Sequence, residues 1–149
     1  NKAYEAIIHS ANYNPEGIHA PTEGILEKLM AKAKLYNEEY GFIPADLENE
    51  SVSKALEYSF NDWCIAQMAK KFNKEEDYIK YMERSKRYQK YFDESVGFMR
   101  GKNSDGTWVQ DFNPKFSEHR KDQYTEGNLV VVVQNDWGHR AVCILYGCR

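Results

Sequence analysis

Ser51-Val52-Ser53-Lys54-Ala55-Leu56-Glu57-Tyr58-Ser59-Phe60-Asn61-Asp62-Trp63-Cys64-Ile65-Ala66-Gln67-Met68-Ala69-Lys70-Lys71-Phe72 is the run that decides the fold. At helical spacing Val52, Leu56, Phe60 and Trp63 share one side, and Tyr58, Ile65, Met68 and Phe72 share another. Between them lies a seam of small residues and one carboxylate: Ala55, Ser59, Asp62, Ala66 and Ala69. Only Lys54, Glu57 and Asn61 leave an obvious wet row. A helix apolar around most of its circumference must pack against neighbours on several sides. Ser51 stands at its start as the cap, with Lys54 rather than Glu at the reciprocal capping-box position.

The flanking helices read differently. Upstream, Pro21 suits a helix start, and Ile25, Leu26, Leu29, Met30, Ala33, Tyr36 and Tyr40 form one apolar stripe ended by Gly41. Glu27, Lys28, Lys32, Lys34 and Glu38 form its wet face. Downstream, past Asn73-Lys74, a helix over Glu75 to Phe92 turns Tyr78, Tyr81, Met82, Ser85, Tyr88 and Phe92 inward, with Lys80, Glu83, Arg84, Arg87 and Lys90 in water. Its acidic first turn, Glu75-Glu76-Asp77, suits the helix dipole. A broadly buried helix between narrowly buried ones fits helical hairpins arranged in a ring better than a plain bundle, where every helix carries a similar single stripe. The expected fold is mainly α, a segment of an α/α toroid too short to close.

Around these helices the chain is punctuated. Lys2 to Ala11 reads as a helix with Ala3, Ala6, Ile7 and Ser10 on one side; Asn12 to Ala20 is a loop. Ile43-Pro44 forces extended backbone between two helices. Phe92 to Pro114 is a long turn-rich excursion with Gly97, Gly101, Gly106 and the anchors Phe98, Met99, Trp108, Val109 and Phe112, a place for a short hairpin. Such loops on rigid scaffolds are where ligands are often met. Lys115 to Gln123 is polar, and Leu129 onward changes character, with four consecutive valines.

Composition excludes several classes. A hydrophobic share of 42% with 29% charged residues places the 149-residue chain among globular ones. A net charge of -3 with interleaved signs lacks the basic stripe of a nucleic-acid binder. No apolar run approaches the roughly 20 residues of a membrane span. Cys64, Cys143 and Cys148 define no disulfide framework, and His9, His19, His119 and His139 share no ligand spacing. Eleven tyrosines raise the aromatic share to 14%, which suits a carbohydrate face as well as a helical core. The chain opens on Asn1 rather than Met, so a longer parent is expected.

Four local texts carry more. They are Gly41-Phe42-Ile43-Pro44; Glu50 to Tyr58 running on to Asp62-Trp63-Cys64-Ile65-Ala66; Gly97-Phe98-Met99-Arg100-Gly101-Lys102-Asn103 with Asp105-Gly106 and Trp108; and Tyr124-Thr125-Glu126-Gly127-Asn128. In this order and at these separations they resemble glycoside hydrolase family 92, the calcium-dependent α-mannosidases. The resemblance implies an (α/α)6 toroid, with residues 1–128 a partial catalytic domain and 129–149 an atypical tail, out of frame or unstructured. It also implies an inverting α-mannosidase acting on mannose-containing glycans, secreted or periplasmic. A Ca2+ ion would have its ligands mostly outside this chain.

Inversion takes an acid that protonates the leaving oxygen and a base that activates water from the opposite face. The resemblance puts the acid at Glu126 and the base beyond this chain, so the chain alone is expected to be inactive. Tyr124 beside Glu126 suits a desolvated, proton-holding carboxyl, and Gly127 lets backbone approach a ligand. Arg100, Trp108 and Asn128 are the candidate substrate-binding residues. Arg100 suits either a hydroxyl clamp or a pin for its own loop, and Trp108 either a stacking platform or an anchor. Asp62, inside the seam, is expected to make a helix–helix hydrogen bond. The alternatives are a non-catalytic helical interaction module, which would repeat near 34 residues, and another α/α-toroid glycosidase or lyase.

Overall fold

The computed structural model describes residues 2–12 and 32–113. They form a mainly helical layer with one turn-rich loop. Helix α1 spans Lys2–Ala11, α2 Lys32–Glu39, α3 Ser51–Lys71 and α4 Glu75–Arg84; a 3-10 helix covers Ser85–Tyr91, and two short strands, β1 Phe92–Asp93 and β2 Phe98–Met99, follow. Among the described residues no helix is long and apolar enough to cross a membrane. The expectations for Pro21 to Met30, Lys115 to Gln123, the Tyr124–Asn128 text and the 129–149 tail lie outside the described residues.

The seam of α3 is buried along its whole length: Ala55, Ser59, Asp62, Ala66 and Ala69 all lie inside. Small side chains let α4 and the 3-10 helix approach closely, so the hairpin α3–α4 is the spine of the layer. The bulkier flanks are not equally covered, with Phe60 and Phe72 still 43% and 40% exposed. Ser51 is the first helical residue rather than the cap; Glu50 precedes it in left-handed backbone, φ 58°. Lys54 pairs with Glu48, the buried carboxylate just upstream of the helix.

The expected single helix over Glu75 to Phe92 changes its winding at Ser85. Ser85 Oγ donates to the Met82 carbonyl at 2.8 Å, taking up a main-chain acceptor of the preceding turn. From there the tighter 3-10 spacing sets every third residue on one line. Ser85, Tyr88 and Tyr91 are all buried, and Phe92, expected inside, stays 43% exposed. Arg84 and Arg87, expected in water, turn inward to Asp62 and Glu38.

The outer helices also shift their faces. On α1 the covered side is Tyr4, edge-on to Phe72, with Ile7, Ile8 and Ala11 packed near Ile65, Ala66 and Tyr81, while Ala3 and Ala6 are exposed. Tyr4 Oη donates to Asp77 at 2.7 Å, and the Asn12 amide donates to Tyr81 Oη at 2.8 Å. On α2, Lys34 leaves its wet row: its ammonium bonds the Ser10 carbonyl at 2.8 Å and lies over the Tyr58 ring. Gly41 ends α2 with φ 69°, a backbone that strains any other residue.

A second core cluster, at the N-terminal end of α3, joins the helices to the loop. Ile43, Val52, Ala55, Tyr88, Tyr91 and Met99 meet there. Each fully buried Val or Ile side chain contributes roughly 1.5–3 kcal/mol of transfer free energy.

Candidate functional site

Three of the four local texts meet where helix joins loop, together with Tyr91, Ala45, Asp46 and Ser104. Ile43 and Pro44 leave the helices in extended backbone, and Tyr91 Oη closes on Ile43 from the far side, accepting from its N–H and donating to its carbonyl at 3.3 Å. Ala45 N–H then donates to the Lys102 carbonyl at 2.8 Å, and Asp46 holds the Ser104 N–H at 2.8 Å and its hydroxyl at 2.6 Å. Val52 and Met99 lie in the same core cluster. Gly41–Pro44, the start of α3 and Gly97–Trp108 thus meet in one cluster of the described residues.

The loop itself is two short hairpins in series. Strand β1 pairs antiparallel with β2, Phe92 opposite Met99 and Asp93 opposite Phe98, and Gly97 takes the tight turn with φ 72°. This is the hairpin expected from the turn-rich text. A second one brings Lys102 opposite Trp108, closed by Asn103 N–H to the Thr107 carbonyl at 2.8 Å. At its tip Asp105 accepts the Thr107 N–H at 2.9 Å and hydroxyl at 2.7 Å; these bonds hold its carboxyl below the usual range.

Arg100 sits between the hairpins. Its Nε and Nη2 both donate to the Val109 carbonyl, at 2.9 and 2.6 Å, and its Nη1 donates to Asp93 Oδ2 at 2.9 Å. The guanidinium also faces the Phe112 ring, 5.5 Å from its centroid. Asp93 Oδ1 accepts from the Ser95 N–H at 3.0 Å and its hydroxyl at 2.6 Å. The Ser95 hydroxyl first, then Arg100, stabilise the Asp93 carboxylate and lower its pKa. Both of Arg100's bond sets are inside the loop, so the structure gives it the pinning contacts; they run to a loop carbonyl rather than to a helix.

Trp108 is half-buried, and Lys102 Nζ lies 4.2 Å from its ring centroid. Desolvation, with the nearby charge of Lys90, lowers the Lys102 pKa. Among the described residues Lys102 has no carboxylate within ion-pair distance. Arg100 and Trp108 therefore lie on one loop, linked through Val109. Glu126 and Asn128 lie outside the described residues. The sequence reading missed Asp93, Lys102 and Asp46. The only local signal was the Asp93-Glu94-Ser95 spacing, which suits an Asx turn.

A separate cleft of about 470 Å³ opens among the helices, lined by Lys34, Glu38, Asp62, Ile65, Met68 and Arg84 among others. Its charges are matched to one another. Arg84 Nε donates to Asp62 at 3.1 Å and Nη1 lies 3.3 Å from Glu38, while Arg87 reaches Glu38 at 2.9 Å and the Asn37 carbonyl at 2.6 Å. Burial raises the Asp62 pKa even though Arg84 pulls the other way. The helix–helix hydrogen bond expected of Asp62 is present. Burial also raises the pKa of Cys64, on the same cleft, which keeps it a thiol.

Calcium asks for six to eight oxygen ligands. Among the described residues no group of three or more His, Cys, Asp or Glu is placed to hold a metal ion, so these residues do not fit one.

Comparison with known proteins gives one consistent answer. The model of the glycosyl hydrolase family 92 catalytic domain matches residues 1–137. A family GH92 α-mannosidase from Bacteroides thetaiotaomicron is 36% identical, with a TM-score of 0.69 over 85% of this chain and 15% of its own. A second, described as an inverting mannosidase of the same family and species, is 26% identical, with a TM-score of 0.65 over 81% of this chain and 16% of its own. An uncharacterized secreted glycosidase of Arthroderma benhamiae is 29% identical over 115 residues, 76% of this chain. The chain spans about a seventh of the length of these relatives, 14% of the last.

Proposed function

This chain belongs to glycosyl hydrolase family 92, and from that premise we propose that it is a section of the catalytic domain of an inverting α-mannosidase. The observation that carries the reading is the meeting of three motif texts at one end of the helical layer, in a chain 36% identical to a family α-mannosidase. In this reading the helical hairpins form part of an (α/α)6 toroid. The motif text of the catalytic domain runs to Asn128, with the family match extending to residue 137, and the parent is secreted or periplasmic.

Glu126 holds the proton for the leaving oxygen. Its partner base acts from outside this chain, across the roughly 6.5–9.5 Å that an inverting pair leaves for water. Trp108 and Asn128 are the mannoside-binding residues, the Trp108 ring offering an apolar face, and Arg100 serves binding by keeping that ring's strand in place. A Ca2+ ion would have its ligands mostly outside this chain and, when bound, would supply positive charge to the site. The 149 residues alone lack the base and the closed ring, and are inactive.

The test compares two proteins on an aryl α-mannoside, with and without a calcium chelator. The isolated chain gives no turnover, and the full-length protein gives chelator-sensitive turnover whose first-formed sugar is β-mannose by proton NMR. Calcium-dependent hydrolysis by the isolated chain overturns the division of the site. A first product of α configuration overturns inversion.

A further inference from the structure

We propose that Asp93 is a positioning residue for the mannoside, acting through Arg100 to fix the Trp108 ring at the rim of the loop; this rests on the reading of the chain as part of a mannoside-hydrolysing site. Asp93 is only 4% exposed, and its two carboxylate oxygens do different jobs. Oδ1 holds the first hairpin's own turn through Ser95. Oδ2 reaches out of that hairpin to Arg100 Nη1.

The guanidinium converts that contact into a fixed direction. With Nη1 on Asp93, the planar fork leaves Nε and Nη2 aimed at a single point, the carbonyl of Val109, at 2.9 and 2.6 Å. Val109 follows Trp108 directly, and its N–H is tied to the Gly101 carbonyl at 2.9 Å. The outer turn has its own anchor, Ser104 on Asp46. The strand that carries Trp108 is therefore held at both ends. Its ring is half-buried, with the Lys102 ammonium 4.2 Å from its centroid.

Asp93 on Nη1 and the Phe112 ring beside the guanidinium together hold the plane of Arg100. Without the Asp93 charge, the guanidinium loses its ionic anchor, and the Trp108–Val109 strand keeps only its backbone ties to Gly101 and Lys102. Loss of a binding contact made equally in the ground and transition states shows as a higher KM with kcat unchanged.

The experiment uses the full-length protein with Asp93→Asn, which keeps shape and removes charge, and Arg100→Lys, which keeps charge and removes the fork. Both are expected to raise KM for an aryl α-mannoside at least tenfold, with kcat within threefold of the parent. Asp93→Glu is expected to restore KM to within about threefold of the unsubstituted value. A merely structural role predicts something else: a smaller active fraction, hence lower apparent kcat with KM unchanged, and no rescue by Glu. That pattern in either variant overturns the proposal, and so does an unchanged KM in both. If Asp93→Asn fails to fold, Asp93→Glu and Arg100→Lys decide together: KM raised by Arg100→Lys and kept within about threefold by Asp93→Glu supports the proposal, and any other pair of results overturns it. If the unsubstituted protein turns over no α-mannoside, the functional reading fails first and takes this inference with it.

Discussion

Asp62 and Arg84 join two helices at 3.1 Å; Asp93 and Arg100 join two hairpins at 2.9 Å. Both carboxylates are nearly buried, yet their pKa values move in opposite directions. Asp62 lies in a helical seam, where desolvation outweighs the Arg84 charge. Asp93 lies where β1 enters its turn, and the Ser95 hydroxyl, then Arg100 and the Ser95 N–H, stabilise the charged form. A buried ion pair is weak evidence for stability by itself. The helical layer is held by close packing with a charge tolerated inside it. The loop docks on the layer through Met99, and its two hairpins are tied to each other by the charge and its hydrogen bonds.

The joint between the two regions is the place to break that contrast. Tyr91 is fully buried, with its ring in the core beside Ile43 and its hydroxyl on the Ile43 backbone. Tyr91→Ala removes both, and is expected to lower unfolding free energy by about 3–5 kcal/mol in a denaturant titration. A loss below about 1 kcal/mol would show that layer and loop stand without each other. Ala66→Leu tests the layer alone. Ala66 has no exposed surface on the seam, so the larger side chain is expected to cost about 1–3 kcal/mol by overpacking. Tryptic cleavage after Lys102, which reports on the loop, should keep its rate; a faster cut means that the two regions are not separable.

How much of this was legible in the sequence follows the same division. Every member of the seam Ala55, Ser59, Asp62, Ala66 and Ala69 is buried as expected, because small residues at helical spacing carry their own local signal. The 3-10 winding was not legible. Ser85, Tyr88 and Tyr91 at a spacing of three compete with Ser85, Tyr88 and Phe92 at helical spacing, and only the core at Ile43 decides between them. Arg84 and Arg87 read as solvent-facing because their partners Glu38 and Asp62 are distant in the chain. Arg100 was legible as a candidate from its motif, whereas Asp93 became one only when the loop's return brought the two together. Glu126 and Asn128 are legible only as motif text, since an acid's role depends on neighbours far along the chain.

The smallest expected effect is also the most direct comparison of the two aspartates. The folded pKa of Asp62 is raised, so its charged form costs stability above that value, and stability is regained as pH falls through it. The folded pKa of Asp93 is lowered, so its contribution is complete above the unfolded carboxylate value near 3.9 and is lost as pH falls through the folded one. Acidification from neutrality therefore meets Asp62 first, on the high side of the ordinary carboxylate range, and Asp93 last, on the low side. In a series of denaturant melts between about pH 6 and pH 3, Asp62→Asn should remove the gain at the upper end of that window and leave the lower end intact. Asp93→Asn should do the reverse, flattening the loss below the ordinary value. A single shared slope, altered equally by both substitutions, would mean that the two pairs sit in equivalent surroundings. In that case the distinction between a packed layer and a charge-held loop is lost.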